Sequence, residues 1–330
     1  MVGAVDTRAR AALVWGGLAA LVIVLFVATV CILNATLYSA GGFVRGYVDA
    51  LNRGDAAGAL TLAGVQPTTA AGDELLGISE RGMLDHVHET ADDVLPDGSH
   101  RIGLGFTVKG DRTPHTSVFT VRSAGTRALL FDSWRFATPP TAALDVTPLH
   151  DRRFTVDGSQ VTSPAADLAT RYTVLAPAVL DLAHDTTYLT APRTRVVVDT
   201  VGGEVAQTID VEPRAAFTAQ VRVDVDRFLK TSCLPQQVLL PAGCPFGEQV
   251  DDRLTSDPAW TMTDYPEVTL TPTTTPGVWR VVKAAGLAHL EVEAQSLYDG
   301  HSYAIDKDVP FDFTYLVTIG PDNGLTIKPE

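Results

Sequence analysis

Cysteine is nearly absent from this chain, with three in 330 residues. Lysine is almost as scarce, with five against twenty arginines. No Lys/Arg-rich run occurs, and the formal net charge is −14. A nucleic-acid partner is therefore excluded as an expectation, because the phosphate backbone would be repelled. Catalytic fingerprints are missing too. The chain contains no G-x-S-x-G, P-loop, H-E-x-x-H or G-x-G-x-x-G pattern, so no reaction is announced by motif. One further absence is the most informative. From Ala11 to Val44 there is not a single charged side chain.

What is present bounds the fold. The length suffices for two or three domains. Hydrophobic residues make up 45%, enough for packed cores and against disorder. The excess of Arg over Lys, with abundant Ala, Val, Thr and Asp, is the bias of a GC-rich bacterial genome.

The uncharged segment reads as a membrane anchor. Its strongest part, Ala11 to Leu33, has 23 residues. At about 1.5 Å per residue it spans roughly 35 Å, more than a hydrocarbon core of about 30 Å. Trp15 and Tyr38 mark its two ends as interfacial aromatics do. Arg8 and Arg10 flank it closely on the N-terminal side, and the next cation is Arg45. The positive-inside rule places residues 1–10 in the cytoplasm and the bulk of the chain outside. A tail of about ten residues is too short to fold, so an inward signal would need a membrane partner. Three rivals fit less well. A cleaved signal peptide has a shorter apolar region and a small-x-small site, whereas this run ends at Tyr38-Ser39-Ala40. A lipidated Cys31 would follow a small residue, and Val30 precedes it. A buried soluble helix would show a polar face.

Beyond the anchor the pattern is α+β. Residues 41–63 carry Phe43, Tyr47, Val48 and Leu51 at helical spacing, with a break at Gly54 and a cap at Asp55. Residues 73–90 read as short helices. Ile102, Leu104, Phe106 and Val108 then alternate as a strand, followed by strands at 118–121 and 130–136. Turns are expected at Gly110-Asp111-Arg112 and Ser123-Ala124-Gly125. Thr138-Pro139-Pro140-Thr141 marks a boundary. Residues 139–212 read as a small β-sandwich, with a hairpin at Asp157-Gly158. From residue 213 a second helix-first unit begins. Phe217, Val221, Val225, Phe228 and Leu229 fit a helix, while Phe217, Ala219, Val221, Val223 and Val225 fit a strand equally. Strands carrying Ala288, Leu290, Val292 and Ala294, and Phe311, Phe313, Tyr315, Val317 and Ile319, close the chain, with a turn at Pro321-Asp322-Asn323-Gly324.

Residues 43–60, from Phe43-Val44-Arg45-Gly46-Tyr47 through Gly54-Asp55 to Leu60, resemble the opening of NTF2-like (cystatin-like) domains. Ser133-Trp134-Arg135-Phe136 resembles their closing strand. Phe154-Thr155-Val156-Asp157-Gly158 resembles a small β-domain that follows them in actinobacterial envelope proteins. Phe228-Leu229-Lys230-Thr231-Ser232-Cys233, with Pro241-Ala242-Gly243-Cys244-Pro245-Phe246-Gly247, is similar to a second NTF2-like unit in the same proteins. At the level of architecture the likeness extends to membrane-anchored envelope proteins of the TcaA type. The resemblance implies this plan: a tail at 1–10, a transmembrane helix at 11–33, an NTF2-like domain at 41–138, a β-sandwich at 139–212 and a second NTF2-like domain at 213–330. It carries no function with it.

Few residues invite chemistry. Cys233 and Cys244 are the only cysteines beyond the anchor, with ten residues between them. In an oxidising compartment a disulfide is the leading reading. A zinc site would need two more ligands, and His184 and His289 are distant in sequence. Redox catalysis usually takes a tighter C-x-x-C spacing. His86 and His88 could share a metal on a strand but not on a helix, where they point about 200° apart. Asp251-Asp252 and Asp306-Lys307-Asp308 are candidate acids, but their polar, loop-like setting favours solvated surface. No catalytic, metal or cofactor residue is assigned. The expected role is non-catalytic binding, scaffolding or sensing in the cell envelope. The expected partners are the lipid bilayer and another envelope or membrane protein. The alternative is a small-ligand binder or enzyme using an NTF2-like cone, which requires a deep pocket with buried Asp, Tyr or His.

Overall fold

The computed structural model describes residues 5–78 and 81–330, with side chains from residue 11 onward. Residues 1–4 of the expected cytoplasmic tail lie outside that range. The fold is α+β, with one apolar N-terminal helix followed mostly by sheet.

Helix α1 (Val5–Ala35) contains the uncharged segment, and no residue of its stretch Ala11–Ala35 is buried in the rest of the protein. Leu, Val and Ile project on all sides, as in a helix solvated by lipid rather than by water. Helix α2 (Ala40–Asn52) starts where the Ser39 hydroxyl accepts the Gly42 amide. Its Val44, Tyr47, Val48 and Leu51 are buried along one face, which the spacing of three and four requires. Asp55 caps α3 (Ala56–Ala63) by accepting from the Gly58 amide. Gly64, at φ 69°, ends that helix in the left-handed region open to glycine.

Strands β1 (Leu84–Val94), β2 (His100–Val108), β3 (Pro114–Arg127) and β4 (Phe131–Phe136) form an antiparallel meander in sequence order. Ile102, Leu104, Phe106, Phe119, Val121 and Phe136 meet α2 in one buried cluster. Two expectations are corrected here. The short helices expected over 73–90 reduce to a single 3-10 turn, Ala71–Gly77, and Leu84–Val94 is a strand. β1 is an exposed edge with two register shifts. Its apolar alternation is broken, and pairing to the regular β2 decides its conformation. The turn expected at Ser123-Ala124-Gly125 is a bulge inside β3, with Gly125 at φ 93° and the register shifting between Ser123 and Thr126. The chain reverses later, at residues 128–130.

Two facing sheets follow. β5 (Thr141–Leu149), β8 (Thr170–Leu175) and β11 (Glu204–Asp210) form one in the order β11-β5-β8, with β11 parallel to β5. β6 (Arg153–Val156), β7 (Ser159–Thr162), β9 (Ala178–Asp185), β10 (Leu189–Val198) and β12 (Glu212–Pro213) form the other in the order β12-β10-β9-β6-β7. The β6–β7 turn has both Asp157 and Gly158 at positive φ, the geometry a two-residue hairpin turn demands.

The last unit begins with α4 (Ala215–Phe228) and a π turn, Leu229–Cys233. The helix–strand ambiguity resolves by burial. Phe217, Val221 and Val225 are buried, while Val223 is 49% exposed, a period of four rather than two. β13 (Arg253–Leu254), β14 (Ala259–Asp264) and β15 (Leu270–Pro272) pair along β16 (Val278–Gln295), which continues to β17 (Ser302–Ile319) and β18 (Leu325–Pro329). The core of this unit is continuous with that of the two facing sheets. Trp279 joins them, within 6.0 Å of both the His150 and Phe217 rings.

Candidate functional site: a cleft beside the apolar N-terminal helix

A cleft of about 650 Å³ opens just past the end of α1, between the α1–α2 connection (Leu37, Tyr38), the end of α3 (Thr61–Gly64) and the β3–β4 hairpin. Its position is set by four contacts between the helix end and the sheet. The Asn34 amide donates to the Leu130 carbonyl at 2.8 Å. The Asp132 amide donates back to the Asn34 side chain at 3.2 Å. The Tyr38 and Phe131 rings stack at 4.5 Å. The Trp134 indole donates to the Tyr38 carbonyl at 2.8 Å. Together they fix one end of the meander to the end of α1 and the residues that follow it.

The cleft is basic in an acidic protein. Arg122, Arg127 and Arg135 line it, with Asp132 the single carboxylate among its lining residues. Arg122 and Arg135 face each other directly across β3 and β4. Like charges in that position repel, and among the described residues no carboxylate pairs with any of the three. The hairpin turn beyond them is unusual. Ala128 and Leu129 both hold positive φ, at 51° and 62°, a conformation that costs a β-carbon-bearing residue about 1 kcal/mol or more. Leu129 is 90% exposed at its tip.

A second cavity of about 610 Å³, on the five-stranded sheet, contains Asp181 and His184. Asp181 is tied to Arg195 at 2.9 Å and Arg193 at 3.4 Å. The Arg195 hydrogen bond holds its carboxyl below the usual range. Buried His184 meets the Arg153 carbonyl through Nδ1 at 2.7 Å. An ionised carboxylate locked in an ion pair is a poor base. At the interface of α4 with the last sheet lies an open cavity of about 550 Å³ lined by Asp224, Arg227, Tyr315 and Ile327 among others, and Arg227 holds Asp224 at 2.7 Å. Tyr47, the one polar side chain under α2, is fully buried, and its hydroxyl donates to the Ala176 carbonyl at 2.9 Å. Burial pushes its phenol far above the ordinary range, so it stays protonated.

No protein-family model, curated protein or solved structure matches the chain.

The residues singled out by sequence fall as follows. Cys233 and Cys244 are joined in a disulfide, with α-carbons 5.7 Å apart. Cys233 is buried beneath the π turn, and Cys244 packs at the edge of the core. Cys31 is unpaired and exposed on α1. His86 and His88 do lie on a strand, but a bulge separates them, His86 takes φ 52°, and His88 Nδ1 meets the His86 carbonyl at 2.8 Å. Among the described residues no group of three or more His, Cys, Asp or Glu is arranged to hold a metal ion. Asp252 accepts from the Tyr303 hydroxyl at 2.6 Å and the Leu297 amide at 3.1 Å. These bonds lower its pKa, which suits a structural acceptor. Asp306 and Asp308 flank His289, at 3.3 Å from Nε2 and 2.9 Å from Nδ1. The Asp308 hydrogen bond chiefly raises the imidazole pKa, with the Asp306, Asp308 and Glu291 charges adding to it. Sequence reading missed the three cleft arginines, because they are dispersed over fourteen positions and form a cluster only through strand pairing. The one local signal was the absence of any acidic residue from Phe119 to Phe131.

Proposed function

We propose that this chain is a single-pass membrane protein whose extracytoplasmic part is a non-catalytic binding or scaffolding module of the cell envelope. In this reading residues 1–10 are cytoplasmic and two NTF2-like units flank a small β-sandwich. The partners are the lipid bilayer and another envelope or membrane protein. The observation that carries it is the apolar helix Ala11–Ala35, none of whose residues is buried in the fold, yet which is fastened to the folded body through Asn34 at its C-terminal end. A leader destined for removal has no need of bonds to the mature domain. The Cys233–Cys244 disulfide supports an oxidising compartment. The ion-paired state of Asp181 in the cavity on the five-stranded sheet favours binding over catalysis there.

Protease treatment of intact spheroplasts tests the orientation. Digestion of the folded body without permeabilisation is the expected result, and survival of residues 45–330 would reverse it. Carbonate extraction tests the anchor, with retention in the membrane pellet expected. Co-purification from native membranes tests the scaffold. Recovery of the protein alone with a bound metabolite would sink it.

A further inference from the structure

We infer that the cleft at the foot of α1 is a binding site for the anionic phosphate headgroups of phospholipids in the outer leaflet, with Leu129 and Leu130 dipping into that leaflet. The inference rests on the membrane-anchored reading and says what the membrane-proximal surface does once the anchor is in place.

The position of the cleft follows from the helix. Asn34 lies 23 residues beyond Ala11 on a continuous helix. At about 1.5 Å per residue that is about 35 Å along the axis, against a hydrocarbon core of about 30 Å. Asn34 therefore sits at the outer hydrocarbon boundary, and its side chain holds the Leu130 carbonyl. The β3–β4 turn is fixed at the same depth. Tyr38 and Trp134, which are bonded to each other there, occupy the zone where aromatic residues are enriched.

The chemistry fits that depth. Leu129 is 90% and Leu130 is 42% exposed, which is unfavourable against water and favourable at the edge of the acyl region. The backbone holds Leu129 at positive φ, so the turn is built to project it. Arg127 is the first residue above the turn on β3. Arg122 and Arg135 follow as a cross-strand pair without a carboxylate partner among the described residues. Two guanidinium groups held side by side match a phosphodiester, whose oxygens accept in the same fork geometry. In a chain of net charge −14, neutralising carboxylates are plentiful, yet the lining holds only Asp132. The charge complement is then a leaflet rich in anionic lipid, where each arginine near the surface strengthens binding by about fivefold.

The test uses the full chain in nanodiscs of phosphatidylcholine, with and without about a third phosphatidylglycerol. Extraction into detergent and native mass spectrometry then read the lipids retained. Selective retention of phosphatidylglycerol is expected, with a loss of tenfold or more in the Arg122→Gln, Arg127→Gln, Arg135→Gln triple variant. Arg135→Gln alone, which removes one member of the cross-strand pair, is expected to lose several-fold, and it serves if the triple variant fails to fold. Leu129→Ser is expected to leave headgroup selectivity intact while exposing residues 126–131 to faster amide exchange in the nanodisc. Equal retention of both lipids by wild type, or an unchanged triple variant, overturns the proposal. So does displacement of the lipid by millimolar inorganic phosphate, which would make the cleft a site for free anions. Carbonate extraction run in parallel separates the outcomes. Loss of the protein from the membrane pellet condemns the anchor, whereas a retained protein without lipid selectivity condemns only the cleft.

Discussion

The first and last units use the same plan and defend it differently. Each packs one amphipathic helix on an antiparallel sheet. In the first, α2 buries Tyr47 against Phe119 and Phe136, and the sheet is a four-strand meander in sequence order. In the last, two 18-residue strands form a long ribbon, short strands decorate one edge, and a disulfide ties the helix end to the following loop. The first unit keeps its own core, to which the facing sheets lend Leu175 and Val179. The last shares a continuous core with those sheets through Trp279. Their surfaces also diverge. The first presents Arg122, Arg127 and Arg135 beside the anchor, and the last surrounds His289 with Glu291, Asp306 and Asp308. A common helix-then-sheet pattern thus leaves the edges free to carry different chemistry.

The sharpest way to break the comparison is at the shared core. Trp279→Ala removes a fully buried side chain where two units meet, and a loss of about 3–5 kcal/mol is expected. Urea unfolding followed by hydrogen exchange should show the facing sheets and the last unit weakening together while residues 102–121 keep their protection. Retained protection in β9 would mean that the two cores are energetically separate.

Reducing the disulfide, or replacing both cysteines by Ser, comes next. Closing a loop of this size constrains the unfolded chain by about 3 kcal/mol in the entropy estimate. The loss should appear in the last unit, read as a lower urea midpoint that dithiothreitol reproduces in the wild type. Tyr47→Phe probes the first unit at its junction with the facing sheets. Losing the hydroxyl leaves the Ala176 carbonyl without that donor, at an expected cost of about 1–2 kcal/mol. A midpoint equal to wild type would show that the contact is idle.

The smallest effect concerns pH. The Asp308 hydrogen bond and the surrounding carboxylates raise the His289 pKa in the folded state. A raised pKa contributes stability below the ordinary histidine range, near 6.5, and that stability is lost as pH climbs through the folded value. Wild type should therefore exceed His289→Gln in Tm by a small margin at pH 5 to 6, and the margin should vanish by pH 8 to 9. A margin that grows with pH would reverse the sign.

Much of the fold was legible because burial and backbone geometry repeat with fixed periods. Ile102 to Val108 and Phe311 to Ile319 alternate, and Phe43, Tyr47, Val48 and Leu51 recur at helical spacing. Asp157-Gly158 marks a local conformation that few residues adopt. What escaped were features without a period. β1 carries exposed polar residues broken by bulges, so neighbouring β2 defines it. Gly125 resembled a turn and is a bulge. The helix–strand ambiguity at Phe217 to Leu229 needed the partner surface that buries Phe217, Val221 and Val225 but leaves Val223 in solvent.

The sequence by itself determined an uncharged run long enough to cross a bilayer, the amphipathic segment at 41–63, the alternating strands at 102–108 and 311–319, and the two cysteines beyond that run. Only tertiary structure brought those cysteines to bonding distance, joined two cores at Trp279, and set Arg122 against Arg135 beside Asn34. The physical reason is range. Periodicity and turn chemistry act over a few neighbouring residues, whereas a charged cleft or a shared core is made by groups distant in the chain, whose meeting depends on strand register and packing.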